Sequence, residues 1–349
     1  MNLLVTGGAG FIGGNFIRWM RKNAPGHRIV NVDALTYAGN LESLSDIPQD
    51  ETYTFVRADI RDRVKMDEVF ALYNITHVVN FAAESHVDRS IVDPEVFLTT
   101  NIVGTQALLD AARKSWNLAP TDKYSRAYHD GVRFLQVSTD EVYGALGKEG
   151  KFTEQTPLSP NSPYSAAKAG ADFVCRAYYE TFGLPLNITR CSNNYGPFQF
   201  PEKLIPLMIH NCMHNKPLPV YGDGMQIRDW LHVSDHCSAI YTVLTQGIPG
   251  EVYNIGGNNE CANVEIVHKI LSAFGLDDSL IQHVKDRPGH DRRYAIDNTK
   301  ITTTLGWAPE YTFERGMDET IAWYREHTDW MERVISGAYT EYYERMYAQ

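Results

Sequence analysis

Asn2-Leu3-Leu4-Val5-Thr6-Gly7-Gly8-Ala9-Gly10-Phe11-Ile12-Gly13 opens the chain and decides how the rest is read. Leu3-Leu4-Val5 is a short apolar run of the kind that forms a buried strand, and it feeds directly into glycines. Gly8, Gly10 and Gly13 are spaced G-x-G-x-x-G, and Gly7 adds a second frame, G-x-x-G-x-x-G. So tight a turn needs unusual dihedrals, and a phosphate reaches the backbone closely only where no Cβ intervenes. Phe11 to Lys22 then reads as a helix whose N-terminus would face that phosphate. The spacing alone is a weak signal. The strand before it and the helix after it supply the context of a dinucleotide loop.

Arg28-Ile29-Val30-Asn31-Val32-Asp33 reads as a second strand ending in an acid, 20 residues after Gly13. The Asp33 carboxylate would accept hydrogen bonds from an adenosine ribose and repel a 2′-phosphate, which favours NAD over NADP. Tyr53 to Val56, leading to Asp59 and Ile60, reads as a third strand, His77 to Phe81 as a fourth, and Arg133 to Ser138 as a fifth. A helix is expected from about Asn101 to Lys114. Strands alternating with helices imply an α/β fold, a doubly wound parallel sheet of the Rossmann type. Leu118 to Gly131 reads as a surface insertion. Gly144 to Pro163 reads as a long loop over the carboxyl edge of the sheet, where such folds bind ligands. After Pro197 the alternation weakens, and a smaller C-terminal α/β lobe is expected there. Residues 1–195 would form the NAD-binding domain with the catalytic residues, and 196–349 the substrate-binding domain. Parts of 229–258 would return to the first.

The 349 residues are 43% hydrophobic, enough for a substantial core. The formal charge of −11 argues against a nucleic-acid partner, which would need a basic face. Five cysteines, at 175, 191, 212, 237 and 261, form no C-x-x-C pair, which points to reduced thiols and away from a metal site. The N-terminus lacks the basic start and long apolar run of a signal peptide, and no apolar stretch approaches the ~20 residues of a membrane span. A cytoplasmic protein without a membrane partner is the expectation.

Two further stretches carry chemistry. Tyr164 and Lys168 stand i and i+4 in a run after Pro163 that reads as a helix start, so they share a face. A nearby ammonium favours phenolate, so Tyr164 could act as a base on an alcohol, and Lys168 could also hold the nicotinamide ribose. Ser138-Thr139-Asp140-Glu141 stands at the end of the fifth strand. An enzyme that only oxidises an alcohol needs no acidic pair; one that also eliminates water does. Adjacent carboxyls push each other's pKa values apart, as an acid and a base require.

Thr6-Gly7-Gly8-Ala9-Gly10-Phe11-Ile12-Gly13 and Tyr164-x-x-x-Lys168 resemble the extended short-chain dehydrogenase/reductase superfamily. Related epimerases resemble the 138–144 stretch but lack the Asp-Glu pair, and GDP-mannose dehydratases carry the Glu without the preceding Asp. The Thr139-Asp140-Glu141 form is similar to the dTDP-glucose 4,6-dehydratases. Ala82 to Asp88, Asn193 to Pro197, Pro201 to Pro206, Arg228-Asp229-Trp230 and Asp286 to Tyr294 agree with it. The resemblance implies catalytic Thr139, Asp140, Glu141, Tyr164 and Lys168. It implies NAD bound by Gly7, Gly10, Phe11, Ile12 and Gly13, by Asp33, Ala34, Leu35 and Thr36, and by Asp59, Ile60, Ala82, Ala83, Thr100, Tyr164, Lys168 and Asn194. A nucleotide sugar would meet Ser85, His86, Thr139, Asn193, Lys203 and Leu204. Further contacts would come from Pro219, Val220, Tyr221, Arg228 and Asn263, and from Asp286, Arg287, Pro288, Gly289 and His290. A homodimer packing the helices near 101–114 and 164–181 is also implied. UDP- or CDP-glucose dehydratases and 4-epimerases stand as the neighbouring readings, and a non-catalytic NAD-sensing scaffold as the reading from another class. The stretch Asn258 to Asn263 departs from the family pattern and leaves the choice of base open.

Overall fold

The computed structural model describes residues 1–335; the end of the expected second domain, 336–349, lies outside the described residues. The chain begins β1 (Asn2–Thr6), α1 (Phe11–Asn23), β2 (Arg28–Asp33), β3 (Tyr53–Arg57), α2 (Arg63–Tyr73) and β4 (His77–Asn80). Next come α3 (Val87–Val92), α4 (Pro94–Leu98), α5 (Thr105–Trp116), β5 (Arg133–Thr139), α6 (Pro163–Phe182), β6 (Leu186–Cys191) and β7 (Asn193–Tyr195). It continues through α7 (Leu204–Met213), β8 (Leu218–Tyr221), β9 (Ile227–His232), α8 (Val233–Gln246), β10 (Val252–Ile255), β11 (Glu260–Ala262) and α9 (Asn263–Phe274). β12 (Ile281–Val284), α10 (Thr299–Leu305), α11 (Phe313–Glu326) and α12 (Thr328–Val334) complete it.

Seven strands form one parallel sheet in the order β10-β6-β5-β4-β1-β2-β3. Successive residues of a strand face opposite ways, and the core shows it. Leu3 and Val5 of β1 pack with Phe16, Ile17 and Met20 of α1 and with α8. Leu4 packs on the other face with Leu108 and Leu109 of α5 and Met66 of α2. The strand order reverses between β1 and β4. Gly7 leaves β1 at that point with φ 70°, and a Cβ there would stand 2.7 Å from the Ala82 amide nitrogen. Such a switch point opens the crevice in which doubly wound sheets bind ligands. β10 lies inside the 229–258 stretch and pairs with β6 at the sheet edge. The smaller lobe combines a three-stranded β11-β9-β7 sheet and the β12-β8 pair with α7, α9, α11 and α12, around its own apolar core.

The expected helix at 101–114 begins differently. Thr99–Gly104 is a π-helical turn, and the regular helix starts at Thr105. The wider turn aims Asn101 inward. Its Oδ1 accepts from the Glu84 amide at 2.9 Å and its Nδ2 donates to the Glu84 carbonyl at 3.0 Å. The segment after β4 thereby gains partners that a neighbouring strand would otherwise supply.

Candidate active site

The glycine loop is built by close approach. A Cβ on Gly13 would lie 2.4 Å from the Gly7 carbonyl oxygen, so an ordinary residue there would force the loop apart. Gly10 is the N-cap of α1 and brings no side-chain cap. The first-turn amides of α1 lack partners within the helix, and they suit an anion. At the end of β2, Asp33 Oδ2 accepts from the Ala9 amide at 2.9 Å and Oδ1 from the Leu35 amide at 2.8 Å. Burial pushes this carboxyl up from its ordinary value, and those two N–H groups pull it back. The loop, the acid and the switch point open into one cavity of about 360 Å³. Of the expected cofactor residues, Leu35 alone is outside its wall; it adopts φ 56° and gives its amide to Asp33. A glycine cradle, an uncapped helix end and a ribose-height carboxylate fit NAD.

The same cavity reaches the chemistry. Ser162 caps α6 reciprocally with Ser165 in a capping box, and Pro163 occupies the first turn, so Tyr164 stands on a firm helix start. Tyr164, Lys168, Thr139, Asp140 and Glu141 all line the cavity. Lys168 Nζ donates to the Val137 carbonyl at 2.6 Å. The sequence leads one to expect a tyrosine lowered by that ammonium. In the structure burial, followed by the Glu141 carboxyl, holds the Tyr164 phenol well above its ordinary value. The ammonium is directed to a backbone carbonyl, and burial lowers it in turn.

Thr139 caps the 3₁₀ turn Asp140–Tyr143: its hydroxyl oxygen accepts from the Glu141 amide at 3.3 Å and its O–H reaches Asp140 Oδ1 at 3.3 Å. Asp140 is 1% exposed, and its Oδ2 has no hydrogen-bond partner among the described residues. Burial, then the charges of Glu141 and Asp229, push Asp140 well above the usual carboxylate range. Burial raises Glu141 too, but Arg287, Arg228 and Lys203 pull it back. The two adjacent carboxyls are thus shifted unequally, Asp140 the more strongly.

Ser85, Asn193 and Lys203 line the cavity as well, and Lys203 Nζ donates to the Ser85 carbonyl at 3.2 Å. The remaining expected substrate residues lie outside that wall. His86 is buried 3.9 Å from Glu202, and burial holds its imidazole well below its ordinary value. Leu204 starts α7. Pro219, Val220 and Tyr221 run along β8, with Val220 in the lobe core. Asn263 begins α9, and its buried Oδ1 has no hydrogen-bond partner among the described residues. In the 286–290 loop, Asp286 accepts from Gln226 at 3.0 Å and contacts His290 at 2.6 Å. Arg287 lies 3.6 Å from Asp88, Pro288 continues the loop, and Gly289 turns it at φ 68°. Arg228 is buried, donates to the Ile227 and Asp291 carbonyls, and stands 4.3 Å over the Tyr294 ring.

Some lining residues escaped the reading of the sequence. Glu202 stands within the Pro201–Pro206 stretch, and burial pushes its carboxyl up to about 7. Cys191 ends β6 beside the catalytic residues. Trp330 of α12 closes the cavity from the far end of the chain, donating to the Ser43 hydroxyl at 3.2 Å. No local sequence signal marks Trp330.

Comparison with known proteins gives the family of the chain. The family model described as GDP-mannose 4,6 dehydratase matches residues 4–320. A dTDP-glucose 4,6-dehydratase of Xanthomonas campestris pv. campestris (strain B100) is 52% identical over 345 residues, 96% of each chain. The crystal structure of DesIV (dTDP-glucose 4,6-dehydratase) from Streptomyces venezuelae with NAD bound superposes with a TM-score of 0.88 at 46% identity. It covers 96% of this chain and 100% of its own. UDP-glucose 4-epimerase of Thermotoga maritima shares the fold, with a TM-score of 0.83, but only 27% identity, over 94% of this chain and 100% of its own. By identity along nearly its whole length, the chain belongs to the dTDP-glucose 4,6-dehydratase family.

Proposed function

We propose that the protein oxidises dTDP-glucose at C4, eliminates water across C5 and C6, and releases dTDP-4-keto-6-deoxyglucose. It is an NAD-dependent nucleotide-sugar 4,6-dehydratase, as its relatives are named. The observation that carries the reading is one cavity walled by both Tyr164 with Lys168 and the split pair Asp140 with Glu141. A 4-epimerase has no use for the second set.

NAD, held by Gly7 to Gly13 and Asp33, would supply a reversible hydride acceptor and a positive charge that favours the Tyr164 phenolate. Tyr164 takes the proton of the C4 hydroxyl, and Lys168 supports it. The 4-ketone acidifies the C5 proton, and Glu141 removes it. Asp140 delivers a proton to the C6 oxygen, a poor leaving group that then departs as water, and C5 is reprotonated when the hydride returns to C6. Thr139 orients the turn through its hydroxyl, which meets the Asp140 carboxyl and accepts from the Glu141 backbone amide. Gly7 to Gly13 and Asp33 hold the dinucleotide. Arg228, Arg287 and Lys203 supply local positive charge for a diphosphate in a chain of net charge −11.

We assign the NAD site to residues 1–195 and the nucleotide-sugar contacts mainly to the lobe after 196. A cytoplasmic homodimer completes the reading. Leu98, Val103 and Phe173, each at least 45% exposed on α4, the π turn and α6, support that face as its contact. No described helix is long and apolar enough to cross a membrane. The test is incubation with dTDP-glucose and UDP-glucose and analysis of the sugar. A 4-keto-6-deoxy product from dTDP-glucose is expected. A C4 epimer that keeps its C6 hydroxyl would refute the reading.

A further inference from the structure

The two halves of the reaction act on one sugar and so must be fixed against each other. Their residues come from separate elements, α6 for Tyr164 and Lys168 and the 3₁₀ turn after β5 for Asp140 and Glu141. Tyr164, Lys168 and Asp172 stand at i, i+4 and i+8 of α6, and all three are buried. Asp172 Oδ2 accepts from Arg190 Nε at 2.9 Å. Arg190 lies on β6, paired with Ser138 of β5 on one side and Asn254 of β10 on the other. Its Nη1 donates to the Tyr143 hydroxyl at 3.0 Å, and that hydroxyl donates to Asn254 Oδ1 at 2.7 Å. Tyr143 closes the turn that Asp140 and Glu141 open, and its ring stacks on Phe152 at 4.9 Å. One guanidinium thus grips the catalytic helix with one edge and the acidic turn with the other.

We propose that Asp172, Arg190 and Tyr143 form a positioning unit that sets the Asp140–Glu141 turn against the Tyr164–Lys168 helix. The proposal rests on the dehydratase reading above. None of the three lines the cavity that Tyr164, Lys168, Asp140 and Glu141 wall. A buried ion pair is often no more stabilising than apolar packing in its place, so what this one contributes is geometry. The planar fork of arginine suits that task, because it binds two partners in fixed directions, which lysine cannot do. Asp172 also stands one turn from Lys168 and supports its charge against burial.

Tyr143→Phe keeps the ring on Phe152 and removes only the hydroxyl bridge. Oxidation depends on α6, which keeps its own frame, whereas elimination depends on the turn. The kcat for dTDP-glucose should therefore fall about 10- to 100-fold, the scale of a small misplacement, with KM unchanged. Quenched reactions should contain nucleotide-bound 4-ketoglucose that has not lost water. Arg190→Lys keeps a charge opposite Asp172 but loses the fork, and should give the same phenotype. The double variant should be no worse than the more impaired single one. A Tyr143→Phe enzyme with normal kcat and no oxidised sugar would overturn the proposal, and so would losses that multiply in the double variant. A lowered melting temperature with unchanged kcat of the folded enzyme would reduce the unit to a structural role and also overturn it. If Arg190→Lys fails to fold, Tyr143→Phe alone decides. A wild-type enzyme that forms no 4-keto-6-deoxy sugar would instead refute the dehydratase reading, and this proposal with it.

Discussion

Asp140 and Glu141 are adjacent in sequence, yet their surroundings differ, as the opposite duties proposed for them require. Asp140 lies near the Glu141 and Asp229 carboxyls with Arg228 opposing them, whereas Glu141 feels Arg287, Arg228 and Lys203. Asp140→Asn removes the proton donor and leaves the oxidising residues in place. Elimination should slow by about 10²–10⁴-fold, the worth of general acid catalysis, while 4-ketoglucose nucleotide accumulates. Unchanged release of water in rapid-quench experiments would remove Asp140 from the mechanism. Glu202 offers a second reading, of stability against pH. Its pKa is raised from 4.5 to about 7 by burial. The folded state therefore binds more protons than the unfolded one between those values. The stabilisation is complete below the unfolded pKa and lost as the pH rises through about 7. Glu202→Gln cannot titrate, so its melting temperature should fall less than the wild type's over that window. Parallel curves for the two proteins would contradict the assignment.

At the scale of elements, the strand–loop–helix unit at the N-terminus decides whether the dinucleotide is held. Gly13→Ala would place a methyl 2.4 Å from the Gly7 oxygen and 2.9 Å from the Gly8 Cα. We expect purified Gly13→Ala to have lost most of its NAD, measured by release on denaturation, with the secondary structure by circular dichroism intact. Full retention would show that the loop yields without cost. This unit was legible in the sequence because its constraint is local: glycines at fixed spacing, then a helix, then an acid at a strand end. The Tyr164–Lys168 pair was legible for the same reason, as one turn of helix. The π-helical turn at Thr99–Gly104 was not, because it answers to Asn101 finding the Glu84 backbone across the fold. Nor was the Asp172–Arg190–Tyr143 chain, which exists only once β6 pairs with β5 and β10. The tyrosine's raised pKa escaped as well, since spacing reveals that Lys168 is near but not that its ammonium is aimed at Val137.

For the whole molecule, the sheet brings the cofactor loop and the catalytic residues to one carboxyl edge, and the smaller lobe closes over it with cations. On the proposed reading those cations serve a diphosphate, which every nucleotide-diphosphate sugar carries. Arg228→Ala should therefore raise KM for dTDP-glucose and UDP-glucose by similar factors and leave their kcat/KM ratio nearly unchanged. A ratio that shifts tenfold would show that Arg228 reads the base. The preference itself should favour dTDP-glucose modestly, since one methyl in an apolar pocket is worth only about 1–3 kcal/mol. The central claim is that oxidation, elimination and reduction form one closed cycle on one sugar. It is tested most directly by dTDP-glucose carrying deuterium at C4. The account requires a 4-keto-6-deoxy product with the deuterium at C6 and no net consumption of NAD. Deuterium retained at C4 of an epimer, or product formation that consumes NAD in equal measure, would contradict it.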